Sequence, residues 1–271
     1  DNTCIDENTR VVEIMQPDGK ADVLQQIEHG VLSIVGAYKS MGRFYRGIIV
    51  PTKRQYVLLG DAVSHSDGKI FSNDSADAKI PVGLPGAPDD RWVFTEDNAF
   101  RELNAAAGLA AAARVLKGYN DSMAQDCLDI AEEIWNITKT DRPMAKISLA
   151  VELLRTTQDQ KYADFLTQNQ DGIVQNINRT GWVVGPAMPL IKSSKFKKAV
   201  QEAVKGYYKT VEQEGTETPY GMPYKPDIWG AGWGIQSFGV QQYYLHTSFP
   251  DIFPDKYMLS AMNFVLGVHP G

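Results

Sequence analysis

What the sequence is short of narrows it before any motif is read. Only two cysteines occur in 271 residues, Cys4 and Cys127, far apart and outside any Cys-x-x-Cys spacing. A disulfide framework needs more thiols, and a structural zinc site needs them in close pairs. Positive charge is also in deficit: 27 Lys and Arg stand against 33 Asp and Glu, for a net charge of −6. Nucleic acid and anionic membrane surfaces recruit basic patches, so neither is the expected partner. No apolar run reaches the roughly 18 residues that a membrane-spanning helix requires. The opening DNTCIDENTR is polar and acidic, unlike the basic start and apolar middle of a secretory leader. Phosphate loop, dinucleotide fingerprint, Gly-x-Ser-x-Gly elbow and EF-hand loop are all missing.

What remains is a chain with the apolar content of an ordinary globular protein, 43%, long enough to bury a substantial core. Helical spacing dominates it. Val23, Ile27, Val31, Ile34, Val35 and Tyr38 recur at threes and fours and predict an amphipathic helix ended by Gly42. DNAFRELNAAAGLAAAARVLKGYN predicts the strongest helix, with small residues on all sides that allow close packing within a layered array. After a short turn, DSMAQDCLDIAEEIWNIT completes a helical hairpin. RPMAKISLAVELLRTT and QKYADFLTQNQDGIVQNI predict a second pair. SSKFKKAVQEAVKGYYKTVEQEG opens on a Ser cap and ends at Gly215. GIQSFGVQQYYLHTSF and PDKYMLSAMNFVLGV complete roughly eight or nine helices. Strands are few; GIIVPTKRQYVLLGD predicts a short hairpin or an extended excursion. Helical hairpins without a strict repeat point to an α/α toroid or a bundle.

The connections differ in length. Gly118–Asp121 is a tight turn, whereas 51–91, 182–194 and 215–234 read as long Gly/Pro-rich loops, the kind that carry function. The richest stretch, TPYGMPYKPDIWGAGWGIQ, sets Tyr220, Tyr224, Trp229 and Trp233 on a Gly/Pro frame beside Lys225 and Asp227. Pyranose faces stack on such rings while charged groups bind hydroxyls. The same rings also suit a plug of apolar packing. PGAPDDRWVF gathers Asp89, Asp90 and Arg91 beside Trp92, a binding cluster or a solvated ion pair at a helix start. Asp61, His65 and Asp67 share a loop but match no standard ligand spacing. His29 and His246 read as structural. Asn73, Asn136 and Asn178 each open an Asn-x-Ser/Thr triplet.

Taken in order, PDGKADVLQQIEHGV, DDRWVFTEDNAFRELNAAAGLAAAARVLKGY, MPYKPDIWGAGWGIQ and NFVLGVHPG resemble glycoside hydrolase family 9, in its bacterial branch. The resemblance implies an all-α, (α/α)6-barrel catalytic domain of helical hairpins, present incompletely across residues 1–271. It implies an inverting glycoside hydrolase acting on β-glucan or a related glycan, secreted, periplasmic or at the cell surface. On matching positions, Asp89, Asp90, Arg91 and Trp92 fall on the substrate cleft. Tyr224, Trp229 and Trp233 fall on the sugar-stacking stretch. No cofactor is implied beyond a structural calcium in the family's full domain, and the partner is an oligo- or polysaccharide.

Two departures matter. The family's Leu-Gly-x-Asn-Pro is Leu266-Gly267-Val268-His269-Pro270 here, with His replacing Asn. The catalytic base of the family sits in Asp-Ala-Gly-Asp, which the sequence lacks, and the acid Glu follows the Leu-Gly-x-Asn-Pro turn. Asp61-Ala62 is the nearest imitation, but it lacks the Gly-Asp and lies on the wrong side of the first matched helix. The expectation is a fragment with no catalytic pair, inactive by itself and prone to self-association through an open barrel surface. The competing readings are a non-catalytic glycan-binding or scaffold toroid, and another (α/α)6 enzyme such as an unsaturated glucuronyl hydrolase or a polysaccharide lyase.

Overall fold

Local signals at the helix ends set the first elements. In this computed structural model, residues 3–6, 8–9, 11–14, 16–49, 79, 92–95, 98–218, 221, 223 and 231–268 are described. Helix α1 (Asp22–Met41) ends where Gly42 turns left-handed at φ 66 and donates its N–H to the Tyr38 carbonyl. Its buried stripe is Gln25, Val31, Val35 and Tyr38, while Val23 is exposed. The stripe therefore starts later than the apolar spacing predicted. Gln25 lies in it with its amide donating to Asp18 Oδ2 at 3.3 Å, which offsets part of the cost of burying it, while its Oε1 is buried without a partner.

The Ala-rich segment is helix α2 (Ala99–Leu116), capped by Asn98, whose side chain accepts from the Arg101 N–H. Helix α3 (Asp121–Ile137) is capped in the same way by Asn120, which accepts from the Met123 N–H. Between them Gly118 takes φ 85 and donates its N–H to Asp121 Oδ1 at 2.7 Å. Leu103, Leu109 and Leu116 are at most 1% exposed, with Ala106, Ala110 and Ala113 buried between them. Each such Leu contributes about 1.5–3 kcal/mol of burial, and the alanines let α3 and α1 approach α2 closely.

Among the described residues strands are few. β1 (Thr3–Asp6) pairs antiparallel with β2 (Val11–Ile14). β3 (Tyr45–Ile49) pairs antiparallel with β4 (Trp92–Thr95), with an irregularity between Tyr45 and Gly47. The predicted excursion thus begins as a strand, paired with a segment distant in sequence; its remainder, 50–61, lies outside the described residues. All of these elements belong to a compact unit spanning residues 1–139, and a second unit spans 140–271.

In the second unit a 3-10 turn (Pro143–Lys146) leads into helix α4 (Ile147–Thr157), followed by α5 (Gln160–Gln168), α6 (Gln170–Gln175) and α7 (Ile177–Val184). The predicted single helix over 160–177 is therefore broken twice, at asparagines. Asn169 Nδ2 donates to the Phe165 carbonyl at 2.8 Å, and Asn176 Nδ2 to the Gly172 carbonyl at 2.9 Å. Both side chains occupy carbonyls at a helix end, which favours termination over continuation.

The stretch 182–194 is no long loop either. Trp182 lies inside α7, and Gly185–Leu190 form a 3-10 turn containing Pro186 and Pro189. Prolines withhold N–H donors from an α-helix but tolerate this tighter winding. Ser193 then caps α8 (Ser194–Thr216), accepting from the Phe196 N–H at 3.2 Å. Helices α9 (Ala231–Ser248) and α10 (Lys256–Val265) pack on each other. A Cβ at Gly239 would stand 3.1 Å from that of Ala261, so the contact is close. Among the described residues the chain is thus helical hairpins with two short ribbons, the all-α class the sequence predicts.

Candidate functional site

The aromatic stretch predicted to bind sugar leads directly into α9. Tyr224 and Trp229 lie outside the described residues, as do Asp89, Asp90 and Arg91, and with them Asp61, His65, Asp67 and His269. Trp92 opens β4 with Ile49 as its register partner. Trp233 sits in the first turn of α9 and is 77% exposed. Its position follows from helix geometry. Ile235, Gln242 and Leu245 form the buried stripe of α9. At 100° per residue, Trp233 stands about 200° round from Ile235. The indole therefore projects away from the core, between exposed Gly232 and Gly234. A bare indole flanked by glycines is a stacking surface for an apolar face.

At the other end of α9 a cavity of about 510 Å³ opens, lined by Arg155, Lys197, Gln201, Tyr243, Tyr244 and Thr247 among others. Sequence reading missed it, because its residues come from α4, α8 and α9. The one local signal is Lys195, Lys197 and Lys198 crowding the start of α8 with no acid in its first turn.

The remaining charged clusters among the described residues are structural. Glu102 accepts from Arg43 Nη2 at 2.8 Å and from Thr138 Oγ1 at 3.4 Å, joining α2 to the turn after α1 and to the end of α3. Beside it, burial and then the Glu133 carboxylate push the Tyr38 phenol up to about 12. Burial likewise pushes the Cys127 thiol up to about 11, with Asp126 adding to the effect; both cysteines are free thiols. His246 Nδ1 lies 2.7 Å from the Phe253 carbonyl, so that nitrogen carries the proton and donates. His29 is exposed on α1. Two of the Asn-x-Thr triplets have their hydroxyls engaged, Thr138 with Glu102 and Thr180 with the Ile173 and Asn176 carbonyls. Among the described residues no three His, Cys, Asp or Glu side chains gather as a metal site, and no helix is long and apolar enough to cross a membrane.

Comparison with known proteins agrees with this fold. The profile of glycosyl hydrolase family 9 matches residues 54–271. No curated protein sequence matches the chain. Among solved structures, a metagenome-derived glycoside hydrolase family 9 endoglucanase is 15% identical with a TM-score of 0.51, over 91% of this chain and 53% of its own. An endoglucanase from the termite Nasutitermes takasagoensis is 15% identical with a TM-score of 0.50, over 89% of this chain and 61% of its own. A thermostable endoglucanase from Alicyclobacillus acidocaldarius is 13% identical with a TM-score of 0.51, over 93% and 56%. At such identities the likeness concerns the fold alone: part of an (α/α)6 toroid. The chain spans little more than half the length of these neighbours.

Proposed function

This chain belongs to glycosyl hydrolase family 9, and from that premise we propose that it supplies part of the catalytic domain of an inverting glycoside hydrolase acting on β-linked glucan. The match over residues 54–271 carries the reading; the substrate class is supported by its solved neighbours being endoglucanases. A polymeric substrate of this kind is met outside the cytoplasm, so the protein works secreted, in a periplasm or at the cell surface.

Inversion needs a carboxylate that activates a water and a carboxyl group that protonates the leaving oxygen, with room for the water between them. The 271 residues contain no Asp-Ala-Gly-Asp, and no Glu follows Glu217. This chain alone therefore holds glycan without turning it over. Asp89, Asp90, Arg91 and Trp92 contact sugar from the segment ahead of α2, and Tyr224, Trp229 and Trp233 from the segment that opens α9. The exposed indole of Trp233 is the structural feature that supports this assignment.

Titration with cello-oligosaccharides, followed by calorimetry, tests the binding half. Trp233→Ala should weaken binding about three- to tenfold, the worth of one aromatic stacking contact; unchanged affinity would remove Trp233 from the site. A reducing-end assay on β-glucan tests the other half. No turnover is expected, and hydrolysis that disappears in Asp61→Ala or Asp67→Ala would refute it.

A further inference from the structure

The cavity at the C-terminal end of α9 does not suit the neutral glucan just proposed. Its walls carry Arg155 and Lys197. Arg155 spends one N–H on Glu152 at 3.0 Å and keeps others of its five donors. Lys197 enters no ion pair among the described residues, while Glu202, one turn further along α8, is held by Lys205 at 2.9 Å. The start of α8 adds to the imbalance. The N-terminal end of a helix carries partial positive charge from its unpaired N–H groups, so cations there are unfavourable and anions favourable. Lys195, Lys197 and Lys198 occupy that end with no acid in the first turn. A neutral ligand would strip water from these cations and return nothing for it; an anion relieves both costs.

The other walls favour a sugar over a bare anion. Tyr243 and Tyr244 meet edge to face at 5.4 Å, and Trp182 backs Tyr244 at 6.2 Å. Tyr243 is half exposed and presents ring surface to the opening. Thr247 Oγ1 donates to the Tyr243 carbonyl at 2.9 Å, which leaves its lone pairs as acceptors for a ligand hydroxyl. The Gln201 amide offers both a donor and an acceptor. The wall between is the stiff Gly185–Leu190 turn with its two prolines. A volume of about 510 Å³ accommodates one or two sugar rings. Thr247 lies 14 residues along α9 from Trp233, about 21 Å at 1.5 Å per residue, so one ring cannot touch both.

We propose that this cavity binds a small sugar bearing one anionic group, a carboxylate or a phosphate ester, with the anion between Arg155 and Lys197 and the ring against Tyr243. Calorimetric titration of this chain with glucuronate, glucose 6-phosphate, glucose and inorganic phosphate tests it. At least one anionic sugar should bind with a dissociation constant on the order of 1 mM or below, and which of the two binds identifies the anion. Glucose and inorganic phosphate should each bind at least about tenfold more weakly. Lys197→Gln should cost about tenfold, the loss of one charge-assisted hydrogen bond, with an unchanged melting temperature because Lys197 is only partly buried on a helix surface. Added salt should weaken binding.

Failure of both anionic sugars, equal binding of glucose or of inorganic phosphate, or an unaltered affinity in Lys197→Gln would each overturn the proposal. Cello-oligosaccharide binding through Trp233 is measured separately and should not respond to Lys197→Gln, so the two readings fail independently.

Discussion

One absent methyl group sets how the Gly185–Leu190 turn seats on the end of α9. A Cβ built on Gly185 would lie 2.6 Å from Ser248 Oγ, 2.7 Å from Ser248 Cβ and 3.1 Å from Phe249 Cε2. Rotating the Ser248 hydroxyl away relieves only the first of these. The second involves an atom fixed to backbone, and Phe249 is itself 5% exposed. Gly185→Ala must therefore push the turn off the helix, an overpacking that costs about 1–3 kcal/mol. The same chemical change at Gly108 in α2 or Gly206 in α8 meets nothing within 4 Å. There it should stabilise by about 0.5–1 kcal/mol, since Ala loses less chain entropy than Gly on entering a helix. Chemical denaturation of the three variants, with amide exchange to separate residues 140–271 from 1–139, measures both signs. Ser248→Gly removes the two nearest obstacles and should recover most of the Gly185→Ala loss as a coupling energy. A neutral Gly185→Ala, or no rescue by Ser248→Gly, would refute this account of the contact.

Three further outcomes are expected. Glu102→Gln removes the charge opposite Arg43, both side chains being less than a quarter exposed, and should cost about 1.5–3 kcal/mol in urea unfolding; a loss under about 0.5 kcal/mol would mark the pair as an ordinary surface one. The Tyr38 phenol, raised from 10.0 to about 12, favours folding in its neutral form. Its contribution is complete below pH 10, where the unfolded chain begins to ionise, and is lost as pH rises through about 12. Tyr38→Phe, with nothing to ionise, should flatten that alkaline fall by up to about 2–3 kcal/mol; an identical fall in both proteins would contradict the burial. Leu259, Met262 and Val265 on α10 and Leu266 just after it are 38–68% exposed, an apolar stripe that should drive self-association in sedimentation velocity and be silenced by Met262→Glu; a monomer at every concentration would count against it.

Legibility from sequence tracked how local each determinant is. Helix α1 and the α2–α3 hairpin were readable because Gly42 and the Gly118–Asp121 turn act within a few residues of themselves. The breaks at Asn169 and Asn176 were not, since an asparagine on a helical pattern reads as a polar surface position until its amide is seen to take a terminal carbonyl. The β3–β4 pairing escaped for a different reason: its register depends on residues more than forty positions apart. Counting Gly and Pro misread 182–194 as a loop, because a 3-10 turn uses the same residues. Trp233 was legible as an aromatic on a glycine frame, though its exposure was not, being set by the phase of Ile235 and Leu245. The cavity was invisible, as Arg155, Lys197 and Tyr243 meet only once three helices are folded together.

The ionisable groups also bear on what this chain does for its family's chemistry. A general acid in a glycosidase needs a carboxyl group pushed up by an apolar site or a neighbouring charge, so that it keeps its proton near neutrality. Among the described residues the displaced carboxyl groups move the other way. Asp6 is held low by the Thr9 hydroxyl and the backbone N–H groups it accepts. Asp159 is lowered chiefly by the Lys161 N–H, and Glu202 by its bond to Lys205. All three are exposed, and each is better fixed as an anion than as an acid. The groups raised chiefly by burial, Tyr38, Cys127, Tyr207 and Tyr208, pack against helices, where a neutral side chain serves the core. Burial in the described residues is thus spent on shape and charge on helix ends and clefts.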